Sequence, residues 1–333
     1  MVAKLMHAVV YGGSVGGAVG LKHVEVEIPT PSKDEVLIKL EAATLNPVDW
    51  KAYQLKALLR PFLARNSPLI PCTDVAGEVV EVGSQVKNFK VGDKVVSILS
   101  LLKGGGLSEY AVAKEILTVF RPPEVSAAEG ASLPVAGLTA HMALTQFIGL
   151  DLTGKDPHHK NILVTAASGG VGQYAVQLAK LGGAHVTATC GARNLELVKS
   201  LGADEVLDYK TPEGAALKSP SGRKYDAVVH CAAGVAWSVF EGNLKEDGVV
   251  VDLTPGPAAM WTYAVKRITC SGKKLKPLML IPKDDVGLKF LVELVKEGKL
   301  KTVIDSRHCL GDAEVAWSKG IAGHATGKII VEP

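Results

Sequence analysis

The chain has 333 residues, of which 47% are hydrophobic and 21% charged, and its formal net charge is +3. That length holds about two domains and a sizeable core. So small a positive charge, with 5% aromatic residues, excludes a basic nucleic-acid-binding protein. Five scattered cysteines, Cys72, Cys190, Cys231, Cys270 and Cys309, form no C-x-x-C pair, which argues against a disulfide framework or a zinc ribbon and for a reducing compartment.

The first residues, Met1 to His7, run directly into a strand-like segment. They carry no apolar signal core and no Arg/Ser-rich presequence, so no cleavable targeting segment is expected. No apolar run approaches the roughly 20 residues of a membrane helix. From His7 to about Phe120 the chain reads as short strands punctuated by Gly and Pro, among them 35–40, 77–83 and 94–99, which predicts a barrel-like β unit. The segment Asp151 to Lys160, with His158 and His159, reads as a solvated linker rather than a metal site.

From Asn161 the rhythm changes. The continuous apolar run 161–166 predicts a buried parallel strand. Apolar residues at Val171, Ala175, Val176, Leu178 and Ala179 predict a helix over 170–181. Strands at 184–189, 205–207, 225–230 and 248–253 follow, with a helix at 195–201, and this alternation predicts a doubly wound parallel sheet. A helix over 285–297, with Val286, Phe290, Leu291, Leu294 and Val295 as its apolar stripe, and a strand over 327–331 close the chain. The expected division is a β catalytic domain over 1–130, a dinucleotide-binding domain over 131–272, and a return to the first domain over 273–333.

Chemistry concentrates in Ser168, Gly169, Gly170, Val171 and Gly172, which follow a predicted strand and open a predicted helix. Glycines there let the backbone approach a pyrophosphate, and the helix N-terminus offers N–H groups to it. An NAD site usually places an acid about 20 residues further on, where it holds the ribose 2′-hydroxyl. Here Thr189-Cys190-Gly191-Ala192-Arg193-Asn194 contains no acid, and Arg193 is a cation suited to a 2′-phosphate, so the expected cofactor is NADPH. Cys231 and Leu253, at the ends of two later strands, join the cofactor-binding candidates.

Five segments together resemble the zinc-free quinone oxidoreductase branch of the medium-chain dehydrogenase/reductase superfamily. They are 45–51 (Leu-Asn-Pro-Val-Asp-Trp-Lys), 73–79 (Thr-Asp-Val-Ala-Gly-Glu-Val), 133–140, 166–172 and 324–328. The resemblance spans nearly the whole chain and implies an α/β architecture: a GroES-like β-barrel catalytic domain plus a Rossmann domain, with the active site in the cleft between them. It implies reduction of enones, γ-ketols or quinones by hydride transfer from NADPH, a homodimer, and a location at the chloroplast envelope.

It also assigns roles. Asn46 would hydrogen-bond cofactor or substrate, and Lys51 would reach the cofactor or the substrate carbonyl. Either is expected to donate to the developing enolate. Thr139 and Lys328 would lie near the nicotinamide, and Tyr209 near the adenosine. Tyr53 is a candidate proton donor. Trp50, Met260 and Trp261 would either line an apolar substrate pocket or pack in the core. Asn46 and Thr73 stand where zinc-dependent members place a Cys and a His, so no metal site is expected. Two further readings stay open: a protein that binds NADPH for a structural or regulatory purpose, and a peripheral membrane protein whose basic stretch (Lys266, Arg267, Lys273, Lys274, Lys276) meets anionic lipid.

Overall fold

The computed structural model describes residues 4–11, 17–51, 69–100, 104–154, 159–269 and 271–333. The chain divides into two compact units, Met1–Ala136 with Pro282–Pro333, and Gly137–Ile281.

In the first unit, β1 (Leu5–Tyr11) and β2 (Leu21–Glu27) form an antiparallel pair. A seven-stranded sheet is built from β3 (Glu35–Leu45), β4 (Asp74–Val82), β5 (Lys94–Ile98), β6 (Tyr110–Lys114), β7 (Thr118–Phe120), β14 (Ile304–Cys309) and β15 (Lys328–Glu332). Its order is β14-β15-β3-β4-β5-β7, with β6 also pairing β3. All neighbours are antiparallel except β14 and β15. Val36, Ile38, Leu40, Val75, Val79 and Val95 are buried at the centre, because strands covered on both faces fill with β-branched and aliphatic side chains. The long β3 absorbs register shifts between Leu37 and Ile38 and between Leu40 and Ala42, and these bend it as bulges do. Pairing of β15 with its far end, Ile329 opposite Leu45, brings the C-terminal strand beside Asn46.

The second unit holds β8 (Asn161–Thr165), β9 (His185–Cys190), β10 (Glu205–Asp208), β11 (Tyr225–His230), β12 (Leu244–Asp252) and β13 (Lys274–Pro277). They pair in parallel in the order β10-β9-β8-β11-β12-β13, which is 3-2-1-4-5-6 within the unit. This is the doubly wound dinucleotide-binding order, and its direction reverses beside β8. Helix α1 (Pro134–Met142) begins before the unit boundary. Helix α2 (Gly172–Leu181) follows β8 and buries Tyr174, Ala175, Val176, Leu178 and Ala179, and α3 (Leu195–Ser200) follows β9.

The unit boundaries differ from those expected, and the aromatic candidates separate. The return to the first unit comes at Pro282, not at 273, because β13 pairs Leu275 with Val250 and so completes the second sheet. The first boundary falls after Ala136 rather than 130. Trp50 packs edge-on against the fully buried Trp317 (5.7 Å), where it serves the core of the first unit. Met260 and Trp261 do not pack in the core: they lie on α4 (Pro257–Ile268), which buries no residue, and Trp261 is 73% exposed.

Of the basic stretch, Lys266 Nζ is held by Glu241 Oε1 (2.6 Å), and Lys273 Nζ by the Glu241 carbonyl (2.9 Å). Lys276 Nζ is held by the Phe147 carbonyl (2.9 Å). Arg267 donates to the Tyr263 hydroxyl (3.1 Å), so four of its five cations are spent on acceptors within the chain. Among the described residues no helix is long and apolar enough to cross a membrane.

Candidate active site

In the first unit the far end of β3 delivers Asn46 into a buried polar cluster. Residues 47–51 are helical, and Asp49, at the third helical position, returns its carboxylate Oδ2 to the Asn46 N–H (2.7 Å), as a capping-box acid does. The Asn46 side chain is fully engaged. Its Nδ2 donates to Asp74 Oδ2 (2.9 Å) and to the Thr44 carbonyl (3.2 Å), and its Oδ1 accepts from Lys328 Nζ (2.5 Å). Lys328 Nζ also donates to the Leu45 carbonyl (3.3 Å). Asp74 opens β4 and accepts from the Val135 N–H (2.9 Å) and from the Thr73 hydroxyl (3.2 Å) as well.

Burial dominates the electrostatics of this cluster. It pushes the Asp74 carboxyl up to about 6, against the opposing pull of the Lys328 charge and of the hydrogen bonds from Val135, Asn46 and Thr73. Burial likewise lowers Lys328, and the charges of Asp74 and Asp49 work the other way. Cys72 is held at φ 74°, donates its thiol to the Thr44 carbonyl (3.2 Å), and is pushed well up by burial and by Asp49 and Asp74.

Such a donor set does not fit zinc. Asn46 Oδ1 already holds an ammonium, the Thr73 hydroxyl donates to a carboxylate, and the Cys72 thiol donates to the Thr44 carbonyl. Among the described residues no group of three or more His, Cys, Asp or Glu side chains has metal-holding geometry. Lys51, expected beside Asn46, is exposed at 47–51. Tyr53 lies outside the described residues.

In the second unit the glycine loop leaves β8 through Ala166, which takes a left-handed conformation (φ 49°). Its next residue is tied to β9 by Ala167 N–H to the Thr189 carbonyl (2.8 Å). A Cβ at Gly172 would be driven into the Ala166 carbonyl oxygen and within 2.7 Å of Ala167 Cα, so the helix start packs on the loop only as glycine. Val171 caps α2 with no side-chain hydrogen bond, and the Gln173, Tyr174 and Ala175 N–H groups donate to the Gly169 and Val171 carbonyls, so the helix start is folded back on the glycine loop. Ser168 Oγ accepts from Asn194 Nδ2 (3.0 Å), which links the loop to the turn carrying the exposed Arg193.

Tyr209 follows β10, with its N–H on the Cys190 carbonyl (3.0 Å) and its ring against Gly191, where an added Cβ would stand 3.5 Å from Cε1. The Lys210 ammonium lies 5.9 Å from that ring. Cys231 and Leu253 sit at the carboxyl ends of the paired β11 and β12. Burial, with Asp252 second, pushes the Cys231 thiol up to about 12. Its N–H donates to Thr165 Oγ1 (3.0 Å), which also bonds His230 Nδ1 (2.8 Å). Thr139 lies on α1, buried.

Thus Ser168, Gly169, Gly170, Val171, Gly172, Arg193, Tyr209, Cys231 and Leu253 share the carboxyl end of one sheet, and Asn46 and Lys328 share one cluster. The sequence reading missed Asp74, Asp49 and Lys210. Asp74 had a signal: it is an acid inside the family-like segment 73–79, directly preceding the apolar Val75-Ala76.

Two family models match, an alcohol dehydrogenase GroES-like domain over residues 32–123 and a zinc-binding dehydrogenase domain over 201–331. The chain is 70% identical to the chloroplast envelope quinone oxidoreductase homologue of Arabidopsis thaliana, over 100% of both chains. It is 36% identical to the NADPH-dependent alkenal/one oxidoreductase of the Arabidopsis thaliana chloroplast, over 100% of this chain and 81% of that one. A solved quinone oxidoreductase from Coxiella burnetii superposes with a TM-score of 0.86 at 31% identity, covering 99% of this chain and 100% of that one. The chain therefore belongs to the medium-chain dehydrogenase/reductase superfamily, in its quinone oxidoreductase branch, and is an NAD(P)H oxidoreductase.

Proposed function

We propose that this chain uses NADPH to reduce the activated C=C bond of α,β-unsaturated carbonyls such as enones, with γ-ketols as further candidates, or to reduce quinones. The observation that carries the reading is the buried cluster of Asn46, Thr73, Asp74 and Lys328, in which the amide and hydroxyl are tied to Asp74 and the ammonium is held as a fixed N–H donor. An isolated carbonyl needs a strong Lewis acid as its oxygen takes up charge. A conjugated one spreads that charge over an enolate, which fixed N–H donors stabilise.

NADPH is favoured over NADH because Gly191, Ala192 and Arg193 follow β9 where an acid would otherwise meet the 2′-hydroxyl. The residues that would hold the dinucleotide are the loop Ser168 to Gly172 at the pyrophosphate, Arg193 and Tyr209 at the adenosine end, and Cys231, Leu253 and Thr139 towards the nicotinamide. When bound, the cofactor supplies the hydride, and the protein orients it and excludes competing reactions. The name of the 36%-identical relative, an NADPH-dependent alkenal/one oxidoreductase, supports this choice. The chloroplast location in the names of both Arabidopsis relatives supports placing this protein in that organelle.

The deciding experiment is product analysis by mass spectrometry and NMR on a panel of short and long enones, γ-ketols and quinones at fixed NADPH. Saturated ketone from an enone supports the reading; allylic alcohol refutes it.

A further inference from the structure

We propose that Lys328 is the catalytic donor of this site, its ammonium hydrogen-bonding the substrate oxygen on which negative charge develops, with Asn46 and Asp74 as the positioning residues that hold it there. This rests on the enone reading above.

Counting donors leads to it. The Asn46 amide has two N–H groups, and both are taken, one by Asp74 Oδ2 and one by the Thr44 carbonyl. Asn46 therefore has nothing to give a substrate oxygen, contrary to its expected role. Lys328 has three N–H groups, of which Asn46 Oδ1 and the Leu45 carbonyl accept two. The third has no acceptor among the described residues.

Orientation is fixed as well. Because Asp74 accepts from Nδ2, the amide oxygen of Asn46 must face the ammonium, and Asp74 is itself held by Val135 and Thr73. The chain ammonium–amide–carboxylate aims the lysine without a direct ion pair. Lys328 is only 3% exposed, so its charge acts in low-dielectric surroundings, where a fixed donor is worth far more than in water. Lys51, the other lysine expected to act, is exposed and would be screened.

The step balances as follows. A hydride brings its electron pair to the β-carbon of the enone. The π pair of the C=C bond shifts to join the α-carbon to the carbonyl carbon, and charge moves onto the oxygen, which the third N–H of Lys328 meets. A proton from water then bonds the α-carbon as the enolate collapses to the saturated ketone. The substrate is reduced by two electrons and the nicotinamide oxidised by two.

The test compares wild type, Lys328→Met, Lys328→Gln, Asp74→Asn and Lys51→Met. Its readouts are kcat and KM for an enone, the Kd for NADPH by fluorescence, and the melting temperature. We expect Lys328→Met to lose about 10²- to 10³-fold in kcat, the loss typical of one oxyanion donor, with the NADPH Kd within about threefold of wild type. Lys328→Gln, which keeps a neutral N–H donor, should lose less. Asp74→Asn should lower kcat and abolish the acid limb of the kcat–pH profile, which a purely structural residue would not do.

A folded Lys328→Met or Lys328→Gln with wild-type kcat overturns the proposal, as does a loss confined to NADPH affinity or one seen in Lys51→Met instead. Should both Lys328 variants fail to fold, an unchanged acid limb in Asp74→Asn overturns it. A wild-type enzyme that makes no saturated ketone removes the enone reading, and Lys328's role with it. An active wild type with an indifferent Lys328 removes only the latter.

Discussion

Gly172→Ala isolates the close packing on which the dinucleotide loop depends. The new methyl would lie 2.7 Å from Ala167 Cα, and it would also press on the Ala166 carbonyl oxygen. Non-bonded carbons sit at about 3.5–4.0 Å, so the loop must retreat by about 1 Å. Overpacking of this kind costs about 1–3 kcal/mol. For a unit of this size each kcal/mol lowers the melting temperature by about 2–4 °C, so a fall of about 2–12 °C is expected. The same 1 Å moves the backbone donors off the pyrophosphate, a displacement that costs on the order of 10²-fold where geometry is tight. NADPH titration by fluorescence and thermal melts measure both effects. Gly242→Ala is the control, since its Cβ would meet nothing closer than 3.8 Å. A Gly172→Ala protein that melts and binds NADPH like wild type would refute the packing argument.

Arg193→Ala should weaken NADPH by about 1–3 kcal/mol and leave NADH nearly unchanged, as isothermal titration of both cofactors would show. Metal analysis of purified, active protein should find no stoichiometric zinc, and chelators should leave its rate intact; one zinc per chain would contradict the donor chemistry around Asn46. Asp74 has a raised carboxyl in the folded state, so below about pH 6 the folded protein binds a proton that the unfolded chain takes up only near pH 4. Its contribution to stability is therefore fully present below about pH 4 and is lost as pH rises through about 6. The melting temperature of Asp74→Asn relative to wild type should accordingly be more favourable at pH 8 than at pH 4.5.

Much of the second unit was legible because parallel strands buried on both faces leave unbroken apolar runs. Residues 161–165 and 225–230 announced β8 and β11, and Gly169 and Gly172 marked the turn between strand and helix. What stayed hidden has physical reasons. β13 reads as Lys274-Leu275-Lys276-Pro277, an edge strand whose alternating lysines and terminal proline look like surface loop. Its pairing with β12 therefore moved a domain boundary that composition had placed at 273. In α4 no residue is fully buried, so burial left no clear apolar stripe to read. The charged cluster was half legible: Asn46 and Lys328 stood out in the family-like segments, 282 residues apart. That they touch follows only from the pairing of β15 with β3, which no local pattern encodes.

That contact also bears on what the cluster is for. Burying Asp74 and Lys328 costs stability twice, since burial raises the acid and lowers the base. Paired charges in a low-dielectric interior seldom recover that cost, and an apolar pair of similar volume would do as well or better for folding alone. Stability therefore does not account for an acid, an amide and an ammonium arranged in series at the end of β3. A fixed positive charge with one uncommitted N–H does account for it. Chemistry that builds negative charge on an oxygen needs a cation that does not have to reorganise at the moment of reaction. Zinc-dependent members of the superfamily would meet that need with a metal, and here Asn46 and Asp74 hold a lysine. The acid is then required in its ionised form, because it sets the amide and the amide sets the ammonium. For that reason one residue, Asp74, is expected to link the stability profile and the catalytic pH profile of this protein, with opposite signs across about pH 6.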